Sequence, residues 1–369
     1  MRRTILLLVA SVFLIAISAY AIFNRPRPAV ETKFIEAPRE ASAEAEPKAE
    51  TEQEKPDTPV REPGSSTLLP GPTHVYQTFN NCGPATLSMM LSYFGISVSQ
   101  KELADQMRPY QNPKGDNDDK TIFPREFVAW AQHYGVKALH RPNGDIRLLK
   151  VLTNNGIPVV VKTWLKVDED IGHFRIVRGF DEEKKLIIQD DSYQGPNKRI
   201  AYYDFLSMWQ PFNFGYIVIY KEEQEALVEA IIGLEMDEAV AWDNARQRAE
   251  QEHGLDPQNI YPLFNLSVAD QHLGHNEESV KAFEQVETRL PRRMLWYQIE
   301  PILAYQKLGD DDRVFAITDN ILNGGNRAFS ELYQIRGEIY RQKGEEEKAK
   351  QEFDLSLFYN KNLAQGDQR

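Results

Sequence analysis

The stretch Gln77–Thr86, QTFNNCGPAT, contains the only cysteine of the chain, Cys82, directly before a Gly-Pro pair. The following residues, PATLSMMLSYF from Pro84 to Phe94, carry apolar side chains at helical spacing and end at Gly95. They predict a helix, and proline suits its first turn, where the missing N–H costs no hydrogen bond. The positive end of a helix dipole favours a thiolate. The segment therefore predicts a nucleophilic cysteine.

A thiolate that attacks a carbonyl needs an imidazole to accept its proton and return it to the leaving group. The chain has seven histidines, and His173 opens the strand-like segment GHFRIVRGF. Its ring can project from a sheet that packs against the Cys82 helix. We therefore expect His173 to be the base. The remaining histidines lie in predicted helix or loop settings: His74, His133, His140, His253, His272 and His275.

A third group should orient the imidazole, and two aspartates compete for that role. Asp190 and Asp191 follow a predicted strand in IIQDDSYQG. Because side chains alternate along a strand, only one of them can face the imidazole, and the other caps a turn or meets solvent. Gln77, five residues before Cys82, offers an amide N–H₂ as an oxyanion donor.

The pattern of predicted elements indicates an α+β domain over residues 71–221. Helices come first, and the later segments are short and rich in β-branched and aromatic residues, as strands are. The predicted helices cover 84–94, 100–108 and 124–134, and the predicted strands cover 158–165, 174–180, 185–189 and 215–220.

Together and in this order, QTFNNCGPAT, GHFRIVRGFD and QDDSYQGP resemble the papain-like bacteriocin-processing (double-glycine) cysteine peptidase family, in its stand-alone exported branch. The resemblance implies a papain-like fold with Cys82 as nucleophile and His173 as base. It also implies Asp191 as the orienting residue and Gln77 as oxyanion donor. Many members have Asp-Pro where this chain has Asp191-Ser192, and better-known members place Gln one residue further from Cys.

The expected activity is hydrolysis of a peptide bond through a Cys82 thioester, without a cofactor or a metal. Two alternatives share these residues. One is a non-catalytic scaffolding protein that binds peptides, and the other is an acyl transferase that passes the thioester to an amine. The presence of all the expected residue types argues against a decayed site, and the choice of acceptor is not readable from the sequence.

The N-terminus carries an uncharged apolar run, Thr4–Phe23, after Arg2 and Arg3. This length suffices to span a bilayer core of about 30 Å. Residues 1–23 therefore predict a signal anchor, with a single-pass protein whose catalytic domain lies on the extracytoplasmic side. Ala19-Tyr20-Ala21 resembles a cleavage site, and cleavage would make the protein secreted.

Residues 24–70 are rich in Glu, Ala, Pro, Ser and Thr, which predicts a disordered acidic linker. The whole chain has a formal net charge of −12. This charge argues against nucleic acid as a partner, because phosphate binding needs a concentrated basic face. The acidic stretch at 112–124 lacks the glycine and the distal glutamate of a helix–loop–helix calcium site, so we expect no metal there.

Residues 222–369 contain a repeat. Gly274, Gly309 and Gly344 lie 35 residues apart, and Ser279 and Val314 occupy the same position after the first two. The spacing predicts tetratricopeptide-like helix pairs, whose concave face would bind a protein partner or part of the substrate. An irregular helical bundle is the alternative, because the earliest unit matches the pattern poorly.

Overall fold

The computed structural model describes residues 59–108, 110 and 121–363. The predicted anchor Thr4–Phe23, most of the predicted linker and the acidic stretch at 112–120 lie outside these residues. Among the helices of the described part, none combines the length and the apolar character needed to cross a bilayer.

An antiparallel sheet of seven strands forms the centre of the first domain. Its order is β2–β7–β3–β4–β5–β6, and β1 pairs with the second half of β4. The strands are β1 Ser66–Leu68, β2 Lys137–Arg141, β3 Val159–Trp164, β4 Gly172–Asp181, β5 Leu186–Asp191, β6 Gly195–Ala201 and β7 Tyr216–Tyr220.

Five helices accompany the sheet: α1 Cys82–Ser92, α2 Gln100–Met107, α3 Pro124–His133, α4 Ile146–Asn154 and α5 Tyr202–Trp209. The buried face of α1 carries Leu87 and Met90, which join Phe127 of α3 and two β4 residues, Phe174 and Ile176, in one core. The buried apolar area packs α1 against the sheet. Each Å² of such area that leaves water stabilises the fold by about 25 cal/mol.

Residues 66–68, at the end of the predicted linker, form strand β1 of the sheet. The folded domain therefore begins before residue 71, where the sequence analysis placed its start. Thr67 in β1 lies opposite Phe180, and its hydroxyl donates to Asn154 Oδ1 at 2.9 Å. A Cβ at Gly179 would lie 2.0 Å from the Thr67 carbonyl oxygen, so glycine permits the close approach of β1. Backbone pairing holds this polar segment, and such pairing leaves no apolar pattern in the sequence.

The second part is all-helical in the described residues, so the prediction of an α+β domain followed by an all-α region is confirmed. Its α-helices are α6 Glu225–Ile232, α7 Glu238–Leu255, α8 Tyr261–His272, α9 Asn276–Glu284, α10 Met294–Tyr297, α11 Glu300–Leu308, α12 Asp311–Asn323, α13 Ser330–Gln342 and α14 Glu346–Tyr359.

The three repeat glycines each join two helices. Gly274 lies between α8 and α9, Gly309 between α11 and α12, and Gly344 between α13 and α14, and all three have φ between 73° and 81°. Residues with a Cβ are strained at such φ values, which explains the glycines. Ser279 and Val314, at matching positions, are fully buried. The family name of the repeat stays a prediction.

The helical region shares a core with the first domain. Trp164 at the end of β3 lies in a T-shaped contact with Phe212, and both rings pack beside Tyr297 of α10. Arg108 donates to both carboxylate oxygens of Glu331 in α13, at 2.6 and 3.2 Å. These contacts hold the helical region against the sheet close to the start of β4.

Candidate active site

Cys82 is the first residue of α1 and is half-buried. The residue before it, Asn81, makes no side-chain cap to the helix, because its amide donates to Thr78 Oγ1 at 2.7 Å. The first N–H groups of α1 are therefore not capped by the side chain that usually accepts from them. The helix begins at Cys82, two residues before Pro84, which places the sulfur in the first turn.

His173 and Asp191 are brought together by neighbouring strands. His173 is the second residue of β4 and Asp191 is the last residue of β5, and His173 Nε2 lies 3.0 Å from Asp191 Oδ1. Both side chains are buried, and the Cys82 thiol lies within hydrogen-bonding reach of the imidazole. Since Asp191 engages Nε2, Nδ1 is the ring nitrogen that is left for the sulfur. The structure thus brings Cys82, His173 and Asp191 next to one another in one series, in which His173 and Asp191 are hydrogen-bonded.

The electrostatics of this series favour an imidazolium. Burial alone would lower the pKa of His173, but the hydrogen bonds with Asp191 and Cys82 raise it above its ordinary value. Burial alone would also raise the pKa of Asp191, but His173 and Arg175 hold it well below its usual range. The site therefore keeps Asp191 anionic and stabilises a positive charge on His173.

Arg175 is a further member of the site that the sequence analysis missed. Its Nε donates to Asp191 Oδ2 at 2.9 Å, and the side chain is 1% exposed. Its two Nη atoms donate to Thr163 Oγ1 and to the carbonyls of Trp164 and Leu165. Arg175 lies two residues after His173 in a buried strand, so strand alternation places both side chains on one face. A charged residue inside an apolar strand was the available signal.

Asp190 faces away from the imidazole. Its Oδ1 accepts from Arg178 Nη2 at 3.0 Å and from the backbone N–H of Asn197 at 2.8 Å. The alternation expected for β5 thus separates the two aspartates, and the carboxylate that meets His173 belongs to Asp191.

Gln77 is held beside the site by the segment that follows Asp191. Its backbone N–H donates to the Ser192 carbonyl at 2.8 Å, and its Oε1 accepts from Ser192 Oγ at 2.8 Å. Because Oε1 is the accepting end, the amide N–H₂ is left to donate elsewhere. Ser192 therefore orients Gln77, a role that the sequence analysis did not assign.

Exposed aromatic side chains occupy two of the segments that carry these residues. Tyr76 and Phe79 flank Gln77, and Tyr193 follows Asp191 and Ser192. All three rings are at least 59% exposed. Soluble proteins tend to expose clustered apolar surface where a partner binds.

Residues 69–217 match the model of the Peptidase C39-like family. Among solved structures, the chain is similar to a C39-like peptidase from Bacillus anthracis (17% identity, covering 43% of this chain and 99% of that one, TM-score 0.34). It is also similar to the peptidase domain of Streptococcus ComA, a bifunctional ABC transporter involved in a quorum-sensing pathway (18%, 42% and 98%, TM-score 0.31). A third similar structure is MamA (16%, 38% and 80%, TM-score 0.30).

No curated protein matches the chain. The segment matched by the family model contains all the residues of the candidate site, Gln77, Cys82, His173, Arg175 and Asp191. The match to the C39-like peptidase family therefore applies to this segment, residues 69–217, which is less than half of the chain.

Proposed function

We propose that the chain is a cysteine peptidase that hydrolyses peptide bonds through a thioester on Cys82. The observation that carries this proposal is the pair of His173 and Asp191, with Nε2 and Oδ1 3.0 Å apart, and the Cys82 thiol close enough to the imidazole to raise its pKa. A thiol, an imidazole and an orienting carboxylate in contact are the components of nucleophilic acyl transfer.

In the first step, His173 Nδ1 accepts the proton of the Cys82 thiol, and the thiolate attacks the carbonyl carbon of the peptide bond. The imidazolium that forms donates to Asp191 through Nε2–H, which is the charge state that this carboxylate stabilises. His173 then gives its proton to the amine of the leaving peptide, and the acyl group remains on the sulfur. Water attacks the thioester in the second half, with His173 again accepting a proton.

The negative charge on the reacting oxygen needs donors that are in place before the reaction. The N–H groups of Cys82 and Gly83 at the start of α1, which the Asn81 side chain does not cap, supply one set, because the first N–H groups of a helix have no partner within it. Gln77 supplies a second, because Ser192 holds its Oε1 and leaves Nε2 to donate. Tyr76, Phe79 and Tyr193 provide apolar surface for the side chains of a peptide substrate.

The test uses the full chain and a library of fluorogenic peptides, with Cys82→Ser and His173→Gln as matched variants of similar shape. We expect both variants to lose turnover while circular dichroism and melting temperature stay close to those of the unchanged protein. Turnover that survives in Cys82→Ser would refute the proposal. Mass spectrometry with an added amine distinguishes hydrolysis from acyl transfer, since only transfer yields an amide product.

We further propose that residues 1–23 anchor the enzyme so that the catalytic domain lies outside the membrane, and that the helical region binds a protein partner or part of the substrate. The charge-free run at 4–23 and the repeated helix pairs support these assignments. Protease protection of intact cells is the test for the orientation. A catalytic domain that is digested only after lysis would contradict it.

A further inference from the structure

A cavity of about 150 Å³ lies between the sheet and the helical region. The sheet contributes His140 of β2, Lys162 of β3 and Phe174 of β4 to its lining, and the helical region contributes Trp242 and Glu300 among others. A cavity of this volume holds a ligand the size of benzene, or roughly six to ten non-hydrogen atoms. Its walls are mainly aromatic and aliphatic.

The cavity is separate from the candidate active site. Phe174 directly follows His173 in β4, and consecutive side chains of a strand point to opposite faces. The ring of Phe174 borders the cavity, whereas His173 meets Cys82 and Asp191. A ligand in the cavity therefore makes no contact with the nucleophile.

The polar groups of the lining carry both signs of charge. Glu300 is 14% exposed; its Oε1 lies 3.6 Å from His272 Nε2, and its Oε2 is buried without a hydrogen-bond partner among the described residues. A buried carboxylate oxygen without a donor is costly, so a ligand or water that donates there is favoured. The ring of His272 stacks on Trp242 with centroids 3.8 Å apart, which holds this wall in place.

The lining also supplies positive charge, from Lys162 and Arg125. Lys162 is 6% exposed, and its Nζ lies 4.9 Å from the Tyr297 ring centre and 5.3 Å from that of Phe174. His140 adds a ring nitrogen: a Cβ at Gly215 would lie 2.9 Å from Nε2, so glycine keeps that space open. Among the described residues, no three His, Cys, Asp or Glu side chains converge as metal ligands, so the cavity is not built as a metal centre.

We propose that this cavity binds a free α-amino acid with an aliphatic side chain. The α-ammonium group donates to Glu300 Oε2, and the α-carboxylate accepts from Lys162 and His140. Val268 and the aromatic rings bury the side chain of the ligand. The lining carries two carboxylates, Glu238 and Glu300, and two cations, Arg125 and Lys162. A zwitterion matches such a lining because it brings one charge of each sign, and leucine, with nine non-hydrogen atoms, is within the size limit of about ten.

Isothermal titration of the full chain with three matched probes tests this inference. Leucine carries both charges, 3-methylbutan-1-amine lacks the carboxylate, and 4-methylpentanoate lacks the ammonium group. We expect leucine to bind at least tenfold more tightly than either analogue, because each analogue leaves one buried charge without its partner. No heat with leucine at millimolar concentration, or equal binding of an analogue, would overturn the proposal.

Three variants assign the binding to this cavity. Glu300→Gln retains the shape of the side chain, and we expect it to weaken leucine binding about 10- to 100-fold, the value of one charged hydrogen bond. Val268→Phe fills the cavity without touching its charges, and we expect it to abolish binding. Cys82→Ala should leave the affinity unchanged. Unchanged binding in both cavity variants, or loss in Cys82→Ala, would place the ligand elsewhere and refute the inference, whatever the peptidase activity.

Discussion

Asp191→Asn and Asp190→Asn form a matched pair that tests whether Asp191 alone serves His173. The two substitutions are chemically identical, occur at adjacent positions of β5, and each removes the negative charge from a buried arginine. Only Asp191 lies against the imidazole, with Oδ1 3.0 Å from Nε2, whereas Asp190 meets Arg178. We therefore expect both variants to lose stability and only Asp191→Asn to lose activity.

The magnitudes follow from the hydrogen bonds of each carboxylate. Asp191 Oδ1 accepts from His173 and from the N–H groups of Tyr193 and Gln194, so the amide oxygen of an asparagine stays there and its N–H₂ faces Arg175. The imidazolium then has a neutral acceptor, which is weaker by about 1 to 2 kcal/mol. This difference lowers kcat/KM by roughly 5- to 30-fold. Each variant also breaks a buried ion pair, at a cost of about 3–5 kcal/mol.

The assay measures kcat/KM per folded molecule, with the folded fraction from urea unfolding. We expect Asp190→Asn to retain the unchanged protein's value. A second readout is acid stability: because folding lowers the pKa of Asp191, its contribution is present above the unfolded value of about 3.9 and is lost as the pH falls below it. Asp191→Asn should lack this contribution. Equal activity losses in the two variants would refute the assignment.

Three further predictions concern residues around the site. Arg175→Lys keeps the charge but cannot match the forked donors, so we expect a lower melting temperature and about tenfold lower turnover; an unchanged pH–rate profile and melting curve would contradict this. Gln77→Ala should lower kcat by about 100- to 1000-fold while the alkylation rate of Cys82 stays constant, and equal losses in both would point to misfolding. Glu331→Gln removes one of the two carboxylates that pair with Arg108, the other being Glu126, and should cost about 1.5–3 kcal/mol in urea unfolding, whereas a loss below about 0.5 kcal/mol would show that the pair is solvated.

The parts of the site that the sequence predicts are those encoded locally. Cys82 precedes an apolar helix and His173 opens a β-branched strand, so each is recognisable from its own neighbours. Alternation along β5 predicts that only one of Asp190 and Asp191 faces His173, but it does not say which one. The register of the sheet, in which Asp191 lies opposite Arg175, decides this. The order of helices before strands indicated the α+β domain for the same local reason.

The remaining features depend on contacts between distant parts of the chain. In the sequence Arg175 only interrupts an apolar strand, and its carbonyl acceptors are visible only in the structure. Ser192 orients Gln77 through a hydrogen bond between segments that are far apart in the chain. The strand at 66–68 is held by backbone pairing to β4, which no side-chain pattern encodes. The cavity requires the helical region to meet the sheet, and periodicity within a helix does not specify which surface it covers.

The common core of the two parts has a consequence for where this chain can be divided. Trp164 and Phe212, which belong to the peptidase segment, are 2% and 6% exposed because helices beyond residue 221 cover them. Arg293 of the helical region also pairs at 2.6 Å with Asp170, in the hairpin that leads into the base-bearing strand. A fragment that ends at residue 221 would expose the rings of Trp164 and Phe212 to solvent, and the hairpin would lose the ion pair between Asp170 and Arg293. We therefore expect residues 69–217 to need the helical region in order to fold stably.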